Sequence, residues 1–150
     1  MKITKAEVTD HLVLTDLTKK SKAFWNYTQK QLDEWDEVLT ITENYILQNE
    51  VYNLKINNEV VAYYSYFKIE DETVKLDNLF VLPEFIGNKY GVYLMKDFIA
   101  RVNKKRIKLV RLTSDPNSVN FYKKLGFRQV GQIETSIKNR FMPVMEKKLP

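Results

Sequence analysis

The spacing of hydrophobic residues changes along the chain, from helical in the first third to alternating after residue 50. Residues 2–8 predict a short strand, and Asp10 is a candidate N-cap for the helix that follows it. Residues 21–27 are aromatic and irregular in pattern. Two further helices are predicted over residues 28–40 and 42–49, the second with Thr42 as its cap.

The alternating region predicts a meander of three strands over residues 51–56, 60–69 and 74–82, with turns at Asn57 and Asn58 and at residues 70–72. Pro83 ends the third strand because proline cannot donate a hydrogen bond to a neighbouring strand. A helix over residues 90–102 and a strand over 106–114 follow, then a short helix over 117–125 that Gly126 closes. Residues 128–136 and 141–149 predict two last strands.

These elements predict a mixed α/β fold in a single domain over residues 1–150. We expect a central, mostly antiparallel sheet of about six to seven strands, flanked by about four helices. The 150 residues include no cysteine, which excludes disulfides, thiolate metal sites and cysteine nucleophiles. No apolar run approaches the roughly 20 residues of a membrane span, and the first residues lack the apolar core of a signal peptide. We therefore expect a cytoplasmic protein without a metal ion and without membrane association.

Charge is distributed unevenly along the chain. Residues 1–75 carry 9 Lys and Arg against 13 Asp and Glu, a net charge of −4, whereas residues 76–150 carry 15 against 6, a net charge of +9. This difference indicates either that the second half binds an anion, such as a nucleotide-like cofactor or nucleic acid, or only that it has a solvated basic face.

A glycine-containing loop at residues 86–91 joins the third strand of the meander to the long helix. A helix N-terminus can bind phosphate through its unpaired N–H groups, glycines permit close backbone approach, and Lys89 adds a positive charge. A plain turn is the alternative explanation. A second candidate segment is 115–127, where Asn117 begins a helix and Tyr122 follows five residues later. The alternatives there are an ordinary N-cap and a packing aromatic side chain.

Together the two segments resemble the GNAT acyltransferases. In that family a strand ending in V-x-P leads into [RQ]-x-x-G-x-[GA], and later comes N-x-x-[AS]-x-x-F-Y-x-x-x-G-F. Val81 and Pro83, followed by the letters IGNKYG, correspond to the first motif. We match the second motif to Asn117, Phe121, Tyr122, Gly126 and Phe127, with Val119 or Asn120 in the slot of the small residue. The order of elements is also similar to the family over nearly the whole chain.

The chain departs from the family pattern at two positions of the loop. Ile86 stands where Arg or Gln is usual, and Lys89 stands where the first glycine is usual, while Gly87 and Gly91 remain. Lysine does not readily adopt a positive φ. The loop must therefore have an ordinary backbone conformation at Lys89 or bear strain there.

The resemblance implies acetyl-CoA as the co-substrate. Its pantetheine arm would pair with backbone groups of Leu79, Phe80 and Val81, and one N–H there would polarise the thioester carbonyl and then hold the oxyanion. Asn117 would hydrogen-bond the arm, and Tyr122 would donate a proton or a hydrogen bond to the leaving thiolate. Lys124 would meet the adenosine phosphates unless it is only solvated. The pyrophosphate would lie in the loop and first helical turn, against Ile86, Gly87, Asn88, Lys89, Tyr90, Gly91 and Val92.

The implied acceptor is a primary amine, on a small molecule or a peptide, which must lose a proton before attack. Asp77 and Glu134 are the candidate general bases, acting directly or through water, and His11 is expected at the surface. The acidic residues Asp33, Glu34, Asp36 and Glu37 attract a cationic amine or are simply solvated. Aromatic residues either line an acceptor cleft or pack in the core; these are segment 21–27, Trp35, Tyr63, Tyr64 and Tyr66.

Two other functions compete with an N-acetyltransferase that acts as a monomer or homodimer. A non-catalytic acyl-CoA-binding module on the same fold fits the departures at Ile86 and Lys89, whereas Tyr122 favours an enzyme. A nucleic-acid-binding domain would use the basic second half. Its aromatic residues are not interleaved with the basic residues as a stacking platform requires, so we expect no nucleic-acid partner.

Overall fold

The computed structural model describes residues 1–135 and 140–150, and these contain seven strands and five α-helices. The strands are β1 (Lys2–Lys5), β2 (Glu50–Ile56), β3 (Glu59–Glu70), β4 (Thr73–Val81), β5 (Leu109–Thr113), β6 (Arg128–Glu134) and β7 (Phe141–Lys148). The helices are α1 (His11–Ala23), α2 (Gln29–Glu34), α3 (Glu43–Gln48), α4 (Tyr90–Lys104) and α5 (Val119–Lys124). Short 3₁₀ turns precede α1, α4 and α5, at Val8–Asp10, Pro83–Phe85 and Pro116–Ser118.

The strands form one sheet in the order β1-β2-β3-β4-β5-β7-β6. The pairs β1–β2, β2–β3, β5–β7 and β6–β7 are antiparallel, and β4–β5 is parallel. Parallel neighbours need a long crossover connection, usually a helix, and α4 is the helix between β4 and β5. The predicted mixed α/β fold with a mostly antiparallel sheet is confirmed.

The chain divides into two compact units, and the single-domain expectation stays a prediction. The first unit is Met1–Tyr66 with Asn78–Ala100. It has a buried cluster in which Leu14 and Leu17 of α1 lie with Ile46 of α3 and with Val51 and Tyr63 of the strands. The second unit is Phe67–Asp77 with Arg101–Pro150. Its fully or nearly fully buried side chains include Val74, Val110, Leu112, Phe127 and Met145.

The meander is confirmed to within one or two residues at each end. The turn between β2 and β3 has φ values of 52° at Asn57 and 66° at Asn58. Asparagine tolerates this left-handed conformation better than most residues, and two such residues form the tight turn that suits the twist of a hairpin.

The helix predicted over residues 28–40 is wrong in its second half, because α2 ends at Glu34. Thr28 caps it as an N-cap, accepting a hydrogen bond from the Gln31 N–H at 3.1 Å. The end of α2 and the residues just after it carry four carboxylates, at Asp33, Glu34, Asp36 and Glu37. Negative charge is unfavourable at the C-terminal end of a helix. Val38 is also 80% exposed, so the apolar residues that suggested a longer helix do not share one buried face.

Three other boundaries differ from the sequence prediction. β1 ends at Lys5 rather than at residue 8, because Asp10 accepts a hydrogen bond from the Glu7 N–H at 2.8 Å and closes a 3₁₀ turn. Asp10 does occupy the N-cap position of α1, but its side chain makes no cap bond to that helix. The segment predicted as irregular is helical as far as Ala23. β5 begins at Leu109 rather than at residue 106. α4 extends to Lys104 and Arg106 has a left-handed φ of 62°, so the chain is not yet in a strand there.

Candidate functional site

The junction between β4 and α4 is a loop with two left-handed residues. β4 ends at Val81, Pro83 begins a 3₁₀ turn, and α4 starts at Tyr90. Between them Gly87 has φ 93° and Lys89 has φ 64°. A Cβ placed on Gly87 would meet nothing within 4 Å, so glycine is favoured there by its backbone conformation rather than by lack of space.

Lys89 therefore bears backbone strain, which decides between the two alternatives open for this position. A left-handed conformation costs an L-residue roughly 1–2 kcal/mol, and the family pattern has glycine here. The Lys89 carbonyl accepts the first hydrogen bond of α4, from the Tyr93 N–H at 3.0 Å. The N–H groups of Tyr90, Gly91 and Val92 thus have no acceptor within the helix, and they lie at the positive end of its dipole. Such a helix start is suited to a phosphate.

The side chains at the end of β4 alternate between the two faces of the sheet. Phe80 and Leu82 pack against the buried cluster of the first unit, and the Phe80 ring centroid lies 6.1 Å from that of Tyr63. Adjacent residues of a strand face opposite sides, so Leu79 and Val81 face away from this cluster. The prediction that backbone groups bind the pantetheine arm remains a prediction.

The second motif is in a different register from the one predicted. Counted back from Tyr122, the motif's asparagine falls at Asp115 and its small residue at Ser118. Asn117 is not an N-cap either: it lies inside the 3₁₀ turn, and Asp115 caps that turn by accepting its N–H at 2.9 Å. The Asn117 side chain donates a second bond of 2.9 Å to the same oxygen of Asp115. The sequence analysis did not identify Asp115, because it assigned the motif's asparagine to the nearby Asn117.

Tyr122 lies in α5 with its ring packed between Phe121 and Phe127, at centroid distances of 5.1 and 5.7 Å. Only 8% of the residue is exposed. Burial raises the pKa of the phenol well above its ordinary value, and the negative charge of Asp115 raises it further. Tyr122 is therefore both a packing residue and a neutral hydrogen-bond donor at physiological pH.

The two candidate bases are not brought together. Asp77 directly follows Leu76 of β4, whereas Glu134 ends β6 opposite Phe141 of β7. β5 and β7 lie between these strands, so three strand spacings, roughly 14 Å, separate them. Both residues are exposed. Because of this separation, Asp77 and Glu134 do not form a cooperating pair, and each is a separate candidate for the general base.

A polar triangle beside the end of β4 was missed by the sequence analysis. The Asn78 amide nitrogen donates to the Tyr45 hydroxyl at 3.1 Å and to the Ser65 hydroxyl at 3.0 Å, and these two hydroxyls are 2.8 Å apart. Ser65 is fully buried. An asparagine inside an otherwise apolar strand end was the available signal, since a buried amide needs partners.

The tyrosines of β3 pack in the core and do not line a cleft. Tyr63, Tyr64 and Tyr66 are at most 3% exposed. Two of their hydroxyls form hydrogen bonds inside the protein. The Tyr63 hydroxyl bonds the Thr18 hydroxyl, and the Tyr64 hydroxyl donates to the Asp97 carboxylate at 2.7 Å. The aromatic residues of the first helical region differ. Phe24 and Trp25 are 48% and 38% exposed.

A small aromatic group also forms around Lys22. Its ammonium lies 5.2 Å from the ring centroid of Tyr27 and 5.3 Å from that of Trp35. The two rings meet edge to face at 4.9 Å. Both aromatic residues are half-buried by this packing.

The remaining predicted charges lie at the surface. Asp33, Glu34, Asp36 and Glu37 are exposed, and Asp36 forms an ion pair with Lys19 at 2.6 Å. Lys124 is exposed at the end of α5. His11 lies 3.6 Å from the Glu43 carboxylate with 28% of its side chain exposed. None of the described helices is both long and apolar enough to cross a bilayer.

The chain matches the family model described as an acetyltransferase (GNAT) domain over residues 23–149. Among solved structures, PaiA N-acetyltransferase from Thermoplasma acidophilum in complex with coenzyme A is 20% identical with a TM-score of 0.83, over 99% of this chain and 98% of that one. A GNAT family acetyltransferase from Elizabethkingia anophelis with acetyl-CoA bound is 20% identical with a TM-score of 0.71, over 99% and 97%. The ribosomal-protein-S18-alanine N-acetyltransferase from Escherichia coli is 17% identical with a TM-score of 0.75, over 98% and 92%. No curated protein matches the chain.

Proposed function

The chain belongs to the GNAT acetyltransferase family, and we propose that it transfers an acetyl group from acetyl-CoA to a primary amine by direct attack in a ternary complex. The observation that carries this proposal is the start of α4. Two left-handed residues, Gly87 and Lys89, lead into a helix whose first three N–H groups have no acceptor within the helix. This arrangement supports binding of the CoA pyrophosphate along Ile86 to Val92, with the Lys89 charge beside it. Coenzyme A and acetyl-CoA in the similar solved structures support the same ligand.

In the proposed reaction the amine nitrogen attacks the thioester carbonyl carbon. The C–N bond forms while the carbonyl electrons move to oxygen, and a backbone N–H among Leu79, Phe80 and Val81 holds the resulting oxyanion. Collapse of this intermediate breaks the C–S bond, and the electron pair leaves with sulfur. Before the attack, the protonated amine gives one proton to a base, either Asp77 or Glu134, directly or through water. The second proton, which the nitrogen carries after the attack, is lost to water. No covalent enzyme intermediate forms.

Tyr122 serves the leaving thiolate as a hydrogen-bond donor in this proposal. A thiol ordinarily has a pKa of about 8.5. Because burial and Asp115 raise the pKa of Tyr122, complete proton transfer from the phenol to the thiolate is uphill. A short hydrogen bond to the thiolate lowers the barrier without that transfer.

Thiol release from acetyl-CoA, measured against a panel of small amines and amine-bearing peptides, tests the proposal. We expect release that depends on the amine and that yields an acetylated amine by mass spectrometry. Binding of CoA without release for any amine would favour the non-catalytic module. Failure to bind CoA at all would reject both functions.

A further inference from the structure

Strand β6 lies at one end of the sheet order, with β7 as its neighbour among the described residues. All seven of its residues are exposed, and they include two apolar side chains, Val130 at 48% and Ile133 at 46%. An exposed edge strand offers its outer N–H and C=O groups to another strand. The strand at the other end of the order, β1, has only four residues and carries Lys2 and Lys5, and both features discourage such pairing. β6 is therefore the edge that favours pairing with a further strand.

The backbone of Gln132 faces the open edge of β6. Gln132 lies opposite Pro143, which has no N–H and whose carbonyl accepts the Ser114 N–H, just after β5, at 2.8 Å. Opposed residues of an antiparallel ladder alternate between hydrogen-bonded and non-bonded pairs. The pair of Gln132 and Pro143 is thus a non-bonded one, in which the N–H and C=O of Gln132 point away from β7. Counting back by the same alternation from Thr135, whose N–H donates to the Arg140 carbonyl, gives the same result.

The part of β6 around Gln132 is complementary to a copy of itself. A bulge lies between Gln129 and Gly131, so the ladder is regular from Gly131 to Glu134. Two identical antiparallel strands are related by a two-fold axis, so one residue lies opposite its own copy. With Gln132 at this axis, the Ile133 side chain of each copy lies opposite Gly131 of the other. A Cβ on Gly131 would meet nothing within 4 Å, so the space that Ile133 needs is open.

The polar groups of the strand also match under this symmetry. The amide side chain of Gln132 both donates and accepts hydrogen bonds, so it can pair with an identical amide. β6 begins with the positively charged Arg128 and ends with the negatively charged Glu134. An antiparallel copy therefore brings the positive end of one strand toward the negative end of the other, which is favourable in both halves of the interface.

We propose that β6 is a homodimer interface, in which it pairs antiparallel with β6 of a second copy of this chain about a two-fold axis at Gln132. The backbone N–H and C=O of Gln132 exchange hydrogen bonds with those of the partner's Gln132, and Ile133 covers the partner's Gly131. A second copy fits this edge because shape, amide pairing and charge are all self-complementary. Such a short interface is weak, so the dimer dissociates on dilution.

Gln132→Lys and Gln132→Glu are the informative variants. Each places two like charges opposite each other across the axis, so each should raise the dissociation constant of the dimer by at least about tenfold. Gln132 is exposed in the single chain, so thermal unfolding at low protein concentration should be nearly unchanged, which checks the fold. Gln48→Lys and Gln48→Glu are the matched controls, because Gln48 is an exposed glutamine at the end of α3 and outside β6. They should leave the dimer unchanged.

Sedimentation equilibrium at protein concentrations up to about 1 mM provides the readout. The wild-type protein should show a dimer that dissociates on dilution. An equimolar mixture of Gln132→Lys and Gln132→Glu should recover the dimer, because lysine then lies opposite glutamate at the axis. General damage to the fold would not be repaired by mixing.

Three results would overturn the proposal. A wild-type protein that stays monomeric over the whole concentration range has no such interface. A dimer that both Gln132 variants leave intact uses another surface. If each folded variant is monomeric and their mixture also stays monomeric, the two-fold pairing at Gln132 is wrong.

Discussion

The carbonyl of Lys89 accepts the Tyr93 N–H at 3.0 Å while Lys89 itself has φ 64°, so α4 begins at a strained lysine. Lys89 thus has an unfavourable backbone conformation and also places a positive charge at the proposed phosphate site. Lys89→Gly should remove the strain and raise the free energy of unfolding by about 0.5–1 kcal/mol, after the greater freedom of unfolded glycine is subtracted. Urea denaturation measures this change.

The same variant should bind CoA about 2- to 5-fold more weakly at low salt, because an exposed charge near a helix start contributes modestly. Lys89→Met is the control: it keeps the strained backbone and loses only the charge. It should therefore weaken CoA binding equally without any gain in stability. Unchanged CoA affinity in both variants would show that the charge takes no part in binding.

Gly91→Val tests the proposed pyrophosphate loop. Gly91 is the second residue of α4, where a branched side chain would block close approach of a phosphate to the first helical turn. We expect CoA affinity to fall by roughly tenfold or more in calorimetry. Gly131→Val on β6 is the matched control, because a Cβ there meets nothing within 4 Å. Equal affinity in wild type and Gly91→Val would reject this loop as the site.

Tyr122→Phe removes only the hydroxyl and keeps the packed ring. In steady-state thiol-release assays kcat should fall by roughly 10- to 100-fold, the effect of losing one hydrogen bond to a charged group. The dissociation constant of CoA should change little, because the contacts of the ring with Phe121 and Phe127 remain. Turnover at the wild-type rate would reduce Tyr122 to a packing residue.

The raised pKa of Tyr122 also predicts a loss of stability in alkali. The unfolded tyrosine ionises near pH 10, whereas burial and Asp115 keep the folded one neutral to higher pH. The wild-type protein should therefore lose unfolding free energy, relative to Tyr122→Phe, as pH rises above about 10. Urea denaturation of both proteins between about pH 8 and 11 isolates this residue, because all other tyrosines are shared. Parallel stability curves would contradict the assigned shift.

The acidic residues at the end of α2 and just after it predict a cationic acceptor. Glu34 and Glu37 are exposed, so their attraction for an ammonium is screened over about 8–10 Å. The kcat/KM of the best amine should fall as salt rises, and Glu34→Gln with Glu37→Gln should flatten that dependence. Glu70→Gln with Asp71→Asn, an equal change of charge in the exposed β3–β4 turn, is the control. If the best acceptor is anionic, or if kcat/KM does not change with salt, attraction of the acceptor by Glu34 and Glu37 is rejected. The acetyltransferase proposal would still stand.

Local pattern was sufficient for several parts of this protein. The period-two meander, the turn at Asn57 and Asn58, the end of β4 at Pro83 and the long helix α4 all follow from residues close together in the chain. The same is true of the loop with Gly87 and of the position of Tyr122, because these motifs are contiguous. The asparagine of the second motif was an exception, because it was assigned to Asn117 although its slot falls at Asp115. The spacing of apolar residues predicted the wrong end for α2, where four carboxylates oppose continuation of the helix.

Side-chain roles depended on partners that local sequence does not reveal, and only the tertiary structure decided them. Asp115 and Arg140 are 25 residues apart, and Asn78 and Tyr45 are 33 apart, yet each pair is hydrogen-bonded. The tyrosines of β3 became core residues through packing with other elements, and the strand order alone separated Asp77 from Glu134. The sequence by itself determined the elements and the family, because period and motif are local. The raised pKa of Tyr122 was decided by the fold, because burial and electrostatic contacts are set in three dimensions.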